Sequence, residues 1–203
     1  SISIDDGDKT PLLLWLVDYL LTHGFSPGII TRGNYDNPGV PKAVTPTSDP
    51  MNVGGKTFLL AQHCGESCPV WVGNDRAVVA QVLLNTHPTC NVIICNDGMQ
   101  YYRLERDIEL IVVDFSEQSF GNGLLLPAGP LRTHLKYLGK SGIIVTNGKQ
   151  HPHTDTRKWG KTYNMKLINE IAYNVVDPAI HQPVSDFKSK RVHAVSDADN
   201  SHW

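Results

Sequence analysis

Cysteine is scarce in this sequence: Cys64, Cys68, Cys90 and Cys95 are the only four in 203 residues. That is too few for a disulfide scaffold, and a reduced, cytosolic setting is expected. No apolar run approaches the roughly 20 residues that a membrane-spanning helix needs. The opening Ser1-Ile2-Ser3-Ile4-Asp5-Asp6 lacks the positive and apolar regions of a secretory signal. Charge of one sign is missing too, with 18 Lys and Arg against 20 Asp and Glu for a net charge of -2. That balance argues against a generally basic nucleic-acid binder and against an acidic disordered tail. There is no internal repeat, no GxSxG nucleophile elbow and no GxGxxG fingerprint. What is present, 40% hydrophobic and 19% charged residues, suffices to bury a sizeable core.

The apolar text alternates between strand-like and helix-like. Pro11 to Thr22 (PLLLWLVDYLLT) predicts a helix, with Pro in its first turn and Gly24 just past its end. Asp75 to Asn85 predicts a second, amphipathic helix. Gly28–Arg32, Val70–Val72, Val92–Cys95, Ile108–Phe115 and Ile143–Thr146 are short β-branched or apolar runs. Continuous apolar strands separated by helices predict a mostly parallel sheet covered on both faces. Ligands bind such sheets at the carboxyl ends of the strands. Asn34 to Gly55 and Gly121 to Pro130 read as loops, the second too apolar for a free linker. Polar, His-rich text from Lys149 to Lys161 marks a boundary.

Three stretches carry candidate chemistry. Ser3-Ile4-Asp5-Asp6-Gly7-Asp8-Lys9-Thr10 has the spacing of a phosphate loop, G-x-x-x-x-G-K-[ST], directly before a helix. Lys9 would hold the β- and γ-phosphates and Thr10 the Mg²⁺, at a helix end with free N–H groups. Ser3 and Asp8 stand where the pattern wants glycine, and Asp5, Asp6 and Asp8 put negative charge where a triphosphate sits. The competing reading is an acidic helix start. A second GKT, Gly55-Lys56-Thr57, has Pro50 at its first-glycine position and no strand before it, so a plain helix start is expected. Asp97 ends the buried run Val92–Cys95, where an NTPase places its Mg²⁺ partner, although Asp-Gly is also a common turn. Asp114 has the same ambiguity. His63, Cys64 and Cys68 have no second pair at zinc spacing, and a helix carrying small apolar thiols is the preferred reading. His151-Pro152-His153 with Asp155 is a weak metal signal.

In their order along the chain, these pieces resemble the tetraacyldisaccharide 4'-kinase family of lipid A biosynthesis. The resemblance lies in KTPLLLWLVDYLLTHGFSPGIITRG, VGGKTFLLAQ, PVWVGNDR, NDGMQYYRLERDIELIVVDF, FGNGLLLPAGPLR, IIVTNG and KRVHAV. It implies an α/β fold of P-loop, Rossmann-like type, with a mostly parallel sheet and helices on both faces. Residues 1–148 would form the nucleotide-binding kinase domain, without its first strand, and 149–203 a linker and the start of a smaller C-terminal domain. It implies transfer of the γ-phosphate of ATP, with Mg²⁺, to the 4'-hydroxyl of an acylated glucosamine disaccharide lipid. The setting would be the cytoplasmic face of the bacterial inner membrane, with peripheral membrane contact and no nucleic acid.

By position, Ser3, Gly7, Asp8, Lys9 and Thr10 match the phosphate loop, and Thr10 and Asp97 match the metal-holding residues. Arg76 matches the arginine of V-G-x-x-R and, with Asp97, is expected to be catalytic. Gln100, in D-G-x-Q, is expected to meet the substrate. The family's G-D-E-P segment, whose aspartate is taken as the catalytic base, is Gly54-Gly55-Lys56-Thr57 here, so the base position is Gly55. One carboxylate of D-D-G becomes Asn96, and the histidine of D-G-x-Q-H becomes Tyr101. These departures leave two functions open: a kinase or part of one, and a catalytically inactive P-loop-like domain or gene fragment retaining the fold. An unrelated Rossmann-like regulatory domain is a third, and it would show a sheet with no phosphate cradle at Lys9.

Overall fold

The computed structural model describes residues 9–33, 40–115, 120–139, 142–148, 159–166, 168, 171–174, 177 and 179–191. The chain divides into two compact units, Ser1–Met165 and Lys166–Trp203. The first begins with helix α1 (Thr10–Thr22), which has Pro11 in its first turn and is closed by Gly24 at φ +80°. Strand β1 (Pro27–Thr31) follows, then β2 (Lys42–Val44), the short helix α2 (Pro50–Val53) and α3 (Gly55–Cys64). Next come β3 (Val70–Val72), α4 (Arg76–Thr86) and β4 (Val92–Cys95), then β5 (Leu110–Asp114), β6 (Ile143–Asn147) and β7 (Lys161–Met165).

The strands form a four-stranded sheet in the order β2-β3-β1-β4 and a three-stranded sheet in the order β5-β6-β7. Every pairing in these two sheets is parallel except β2 with β3. β1 lies in the middle of the first sheet and all five of its residues are buried. Side chains alternate across a strand, so its two isoleucines serve opposite faces. Ile29 joins Val17 of α1, Leu60 and Cys64 of α3, and Val70 and Val72 of β3. Ile30 joins Trp71 of β3 and Val79, Ala80 and Leu83 of α4. Helices therefore cover both faces, as a run that is apolar at every position requires. Ile29 and Ile30 have no exposed area, and each such burial contributes about 1.5–3 kcal/mol.

Gly73, just after β3, permits the close approach of α4, since a Cβ there would lie 2.6 Å from Val79 Cγ2. The second sheet has its own core, with Ile111, Val113, Phe115, Leu131, Leu138 and Ile144 buried together. The Gly/Pro stretch is built into it: Asn122 Nδ2 donates to the Ala128 carbonyl at 2.8 Å, and Leu126 N–H to Leu131 O at 2.9 Å.

One correction concerns a region read as loop. The Asn34–Gly55 stretch contains β2 and α2. Only Val44 of β2 is buried, so this edge strand leaves no alternating pattern to read, and α2 is a single turn capped by Asp49. Beyond the polar, His-rich text the chain forms β7, an exposed edge strand of the second sheet that the sequence does not announce. The second unit, described by itself, holds an antiparallel pair, β8 (Ile171–Tyr173) and β9 (His181–Pro183). Residues 192–203 lie outside the described residues.

Candidate functional site

The parallel strands β1, β3 and β4 end together, at Thr31, Val72 and Cys95. Beyond them the chain turns tightly. Gly33 has φ +58°, and a Cβ there would meet Val72 Cγ1 at 2.9 Å and the Val53 carbonyl at 3.0 Å. Asn96 continues the ladder by donating its N–H to Ile30 O at 2.9 Å. Asp97 then adopts the left-handed conformation, φ 57° and ψ 32°, which aspartate tolerates better than most residues. Its carboxylate accepts a hydrogen bond from the Lys9 ammonium. Lys9 is the N-cap residue of α1, and its carbonyl accepts the Leu13 N–H at 3.0 Å. The first helix thus begins at the carboxyl edge of the sheet, 88 residues in sequence from its partner.

The Lys9 side chain is 17% exposed and that of Asp97 38%. Burial pushes the Asp97 carboxyl up, but the hydrogen bond and charge of Lys9, with the charge of Arg132, outweigh it, so the carboxyl sits below its ordinary value. Arg106 Nη1 donates to the Gly98 carbonyl at 3.0 Å, and its Nε lies 3.1 Å from Glu109. Glu109 also accepts from Tyr137 Oη at 3.2 Å. The Asp97 turn is thereby tied to the start of the second sheet, and Met99 packs on that sheet's core.

Arg76 opens α4 and is buried, 6% exposed. Its Nη1 donates to Gly73 O at 2.9 Å and Asn74 O at 3.1 Å, and the side chain reaches the Cys95 thiol. Its Nε is buried with no hydrogen-bond partner among the described residues, a donor that an anion would satisfy. Beside it Asp75 caps α4 through the N–H groups of Ala77 and Val78. Asp75 also accepts from Tyr101 Oη and, at 3.1 Å, from Arg103. The Tyr101 bond, helped by the helix N–H groups and Arg103, holds the Asp75 carboxyl below its ordinary value, and the same bond pushes the Tyr101 hydroxyl up.

The structure therefore brings Lys9 and Asp97 into contact, with Thr10 next to Lys9 as the first residue of α1. Arg76 stands one residue removed, behind Cys95. Gly55 is the exposed first residue of α3, and α3 packs on α1. Gln100 lies in the 3-10 turn Gly98–Gln100. Ser3, Gly7 and Asp8 lie outside the described residues, as do His151, His153 and Asp155. Asn96, at the first carboxylate position of D-D-G, donates Nδ2 to Thr31 Oγ1 at 3.5 Å. Among the described residues no three His, Cys, Asp or Glu side chains group to hold a metal. Arg132 and Arg106 are absent from the sequence reading. The signal for Arg132 is its place at the end of LPAGPLR, an apolar loop that ends in a cation.

One ionised carboxylate and a hydroxyl-bearing helix start, among four cationic side chains, form a set that fits a metal-bound polyphosphate. Mg²⁺ is commonly held by one or two carboxylates together with substrate phosphates. Lys9, Arg132 and Arg76 offer positive charge for the phosphates, and the α1 N-terminus adds its dipole.

Known proteins resemble this chain in sequence and in fold. The family model described as tetraacyldisaccharide-1-P 4'-kinase matches residues 1–200. A tetraacyldisaccharide 4'-kinase from Herminiimonas arsenicoxydans is 48% identical over 198 residues, 98% of this chain and 52% of the relative. One from Nitrosomonas eutropha is 41% identical over 196 residues, 97% of this chain and 50% of the relative. The chain spans about half the length of the curated relatives it matches. A crystal structure of LpxK from Aquifex aeolicus, in complex with ATP, superposes with a TM-score of 0.72 at 21% identity. It covers 94% of this chain and 59% of that one, a likeness of fold.

Proposed function

The chain belongs to the tetraacyldisaccharide-1-P 4'-kinase family, and from that premise we propose that it forms the ATP-handling part of a lipid A 4'-kinase. The reaction is transfer of the γ-phosphate of ATP to the 4'-hydroxyl of an acylated glucosamine disaccharide. The observation that carries this reading is the Lys9–Asp97 pair at the carboxyl edge of the sheet. Two opposite charges joined across 88 residues, at a helix N-terminus, make a device for a metal-bound phosphate. Bound Mg²⁺ would neutralise phosphate charge, held by Asp97 and Thr10. Lys9 turns from Asp97 to the phosphates when nucleotide enters, and Arg132 and Arg76 add positive charge to the same region. Arg106 holds the Asp97 turn through the Gly98 carbonyl. Phosphoryl transfer depends mainly on such positioning and charge.

Nucleotide handling is assigned to residues 1–148, with 149–203 leading into a further domain. Ser3, Gly7 and Asp8 belong to the proposed phosphate loop and Gln100 to the acceptor side. Contact with the cytoplasmic face of the bacterial inner membrane is part of the same proposal. No helix among the described residues is long and apolar enough to cross a membrane.

A specific observation favours a second reading, a domain that binds nucleotide without turning it over. The base position is Gly55, which carries no proton acceptor. Losing a positioned general base costs on the order of 10²–10⁴-fold in rate. Calorimetric titration with ATP–Mg²⁺, followed by phosphate transfer to a disaccharide lipid, separates the two. Micromolar binding with transfer supports the kinase, and binding without transfer supports the second reading. No binding at millimolar nucleotide overturns both.

A further inference from the structure

One carboxylate joins two of the segments that frame the strand ends. Asp75 is the N-cap of α4, directly before Arg76, and its Oδ1 accepts the Ala77 N–H at 3.0 Å. The same oxygen accepts the Tyr101 hydroxyl, 26 residues further along the chain. Oδ2 accepts from Arg103 Nη1 at 3.1 Å. Tyr101 closes the 3-10 turn Gly98–Gln100 that follows Asp97, and its N–H donates to Gly98 O at 3.0 Å. Its side chain therefore spans from the Asp97 turn to the start of the helix that carries Arg76. The resemblance implies a histidine at this position, and tyrosine stands there instead.

The Asp97 turn needs such a hold. Its left-handed backbone, φ 57° and ψ 32°, is disfavoured for any residue with a Cβ. Without nucleotide, Lys9 grips the Asp97 carboxylate, and Arg106 Nη1 holds the Gly98 carbonyl at 3.0 Å. In the proposed binding step Lys9 leaves Asp97 for the phosphates. The carboxylate must then stay where a metal ion can use it, and Mg²⁺ tolerates little departure from its preferred geometry. Any freedom the turn regains has to be removed again on binding, which lowers affinity. Arg106 holds the near end of the turn at Gly98, and Tyr101 fastens the far end to a helix cap.

We propose that Tyr101 is a positioning residue: its hydroxyl, bound to Asp75, keeps the Asp97 turn and the start of α4 in register while nucleotide is bound. It acts through Asp75 and the turn, not on the nucleotide itself. Its contribution is small in the nucleotide-free chain, where Lys9 still holds Asp97, and larger once Lys9 has moved. The inference rests on the nucleotide reading above and adds a residue to it.

The test sets ATP–Mg²⁺ affinity, by calorimetry, beside Tm, by circular dichroism, in the full 203-residue chain. Tyr101→Phe keeps the ring and removes the donor. It is expected to weaken ATP–Mg²⁺ binding roughly fivefold, the effect of one partly exposed hydrogen bond to a charged group. The nucleotide-free Tm should fall by no more than about 2–4 °C. Asp75→Ser keeps a capping oxygen for α4 but is too short to meet Tyr101, and it should weaken binding to the same extent. The double variant should bind no worse than either single one, because each removes the same bond. Asp75→Asn keeps both a cap and an acceptor for Tyr101, and should recover most of the affinity lost in Asp75→Ser. If the parent binds nucleotide and Tyr101→Phe binds it equally well, this inference falls and the nucleotide reading stands. Additive losses in the double variant overturn it in the same way, as does a Tm loss as large with saturating nucleotide as without. A parent that binds no ATP–Mg²⁺ at millimolar concentration overturns both.

Discussion

Replacing Gly55 with aspartate puts a carboxylate at the exposed start of α3. The structure gives no packing reason for glycine there: a Cβ would meet nothing within 4 Å, and the backbone is not left-handed. The cap residue Gly54 offers no side-chain acceptor, and the first turn contains no acid. An acidic group in that turn interacts with the helix dipole by about 0.3–1 kcal/mol. Removing glycine from a helical position gains roughly 0.5 kcal/mol more by restricting the unfolded chain. Gly55→Asp is therefore expected to stabilise the protein by about 1 kcal/mol, a rise of about 2–4 °C in Tm at this chain length. Thermal unfolding followed by circular dichroism measures it, with Gly55→Asn as the control that restricts the backbone without adding charge. The aspartate–asparagine difference should shrink as salt is raised. A variant less stable than the parent would refute the reasoning, because it would show that glycine at 55 is required by the fold. If the rest of the site is competent, the same carboxylate restores a proton acceptor and raises transfer by on the order of 10²–10⁴-fold.

Asp97→Asn keeps a residue that tolerates the left-handed backbone but removes the charge. Its expected cost is about 0.5–1 kcal/mol of stability, modest because the pair is partly exposed, together with a clear weakening of ATP–Mg²⁺ binding by calorimetry. The Asp97 carboxyl sits below its unfolded value, so its contribution is present above about pH 4 and is lost as pH falls through the folded value. The parent should therefore lose stability in acid more steeply than Asp97→Asn, and parallel acid unfolding curves would contradict this. Gly73→Ala drives a methyl to 2.6 Å from Val79 and is expected to cost about 1–3 kcal/mol in denaturant unfolding.

What the sequence discloses depends on how each residue is held. β1, β3 and β4 are readable because their apolar text answers to burial, and the Pro11 and Gly24 signals bound α1 closely. β2 and β7 are not readable, because exposed edge strands place few demands on their side chains. The site divides in the same way. Lys9 and Asp97 announce themselves by position, one before a helix and one after a buried strand. Arg132 brings its charge to bear on Asp97 from a loop that no local pattern directs there. Arg106 does its work through a backbone carbonyl, a contact that leaves no trace in composition. Asp5, Asp6 and Asp8, the acids of the proposed phosphate loop, are plain in the sequence and lie outside the described residues.

Those three acids carry the last argument. At Gly55 and Asn96 the resemblance implies carboxylates that this chain lacks. Asp5, Asp6 and Asp8 put acid within one to four residues of Lys9 in sequence. One extended residue spans at most about 3.6 Å, so the Cα atoms of all three acids stay within roughly 15 Å of the Lys9 Cα. At about 10 Å in water, each pair of like unit charges costs roughly 0.4 kcal/mol. Three acids against a multiply charged nucleotide then oppose binding by more than about 1 kcal/mol, on the order of tenfold in affinity. Neutralising them together, as Asp5→Asn, Asp6→Asn and Asp8→Asn, should tighten ATP binding by that factor at low salt. The gain should diminish near 0.5 M salt, where screening shortens the reach of exposed charge. An unchanged Kd, or a gain indifferent to salt, would show that these carboxylates lie away from the nucleotide and that Lys9 does not lead a phosphate loop.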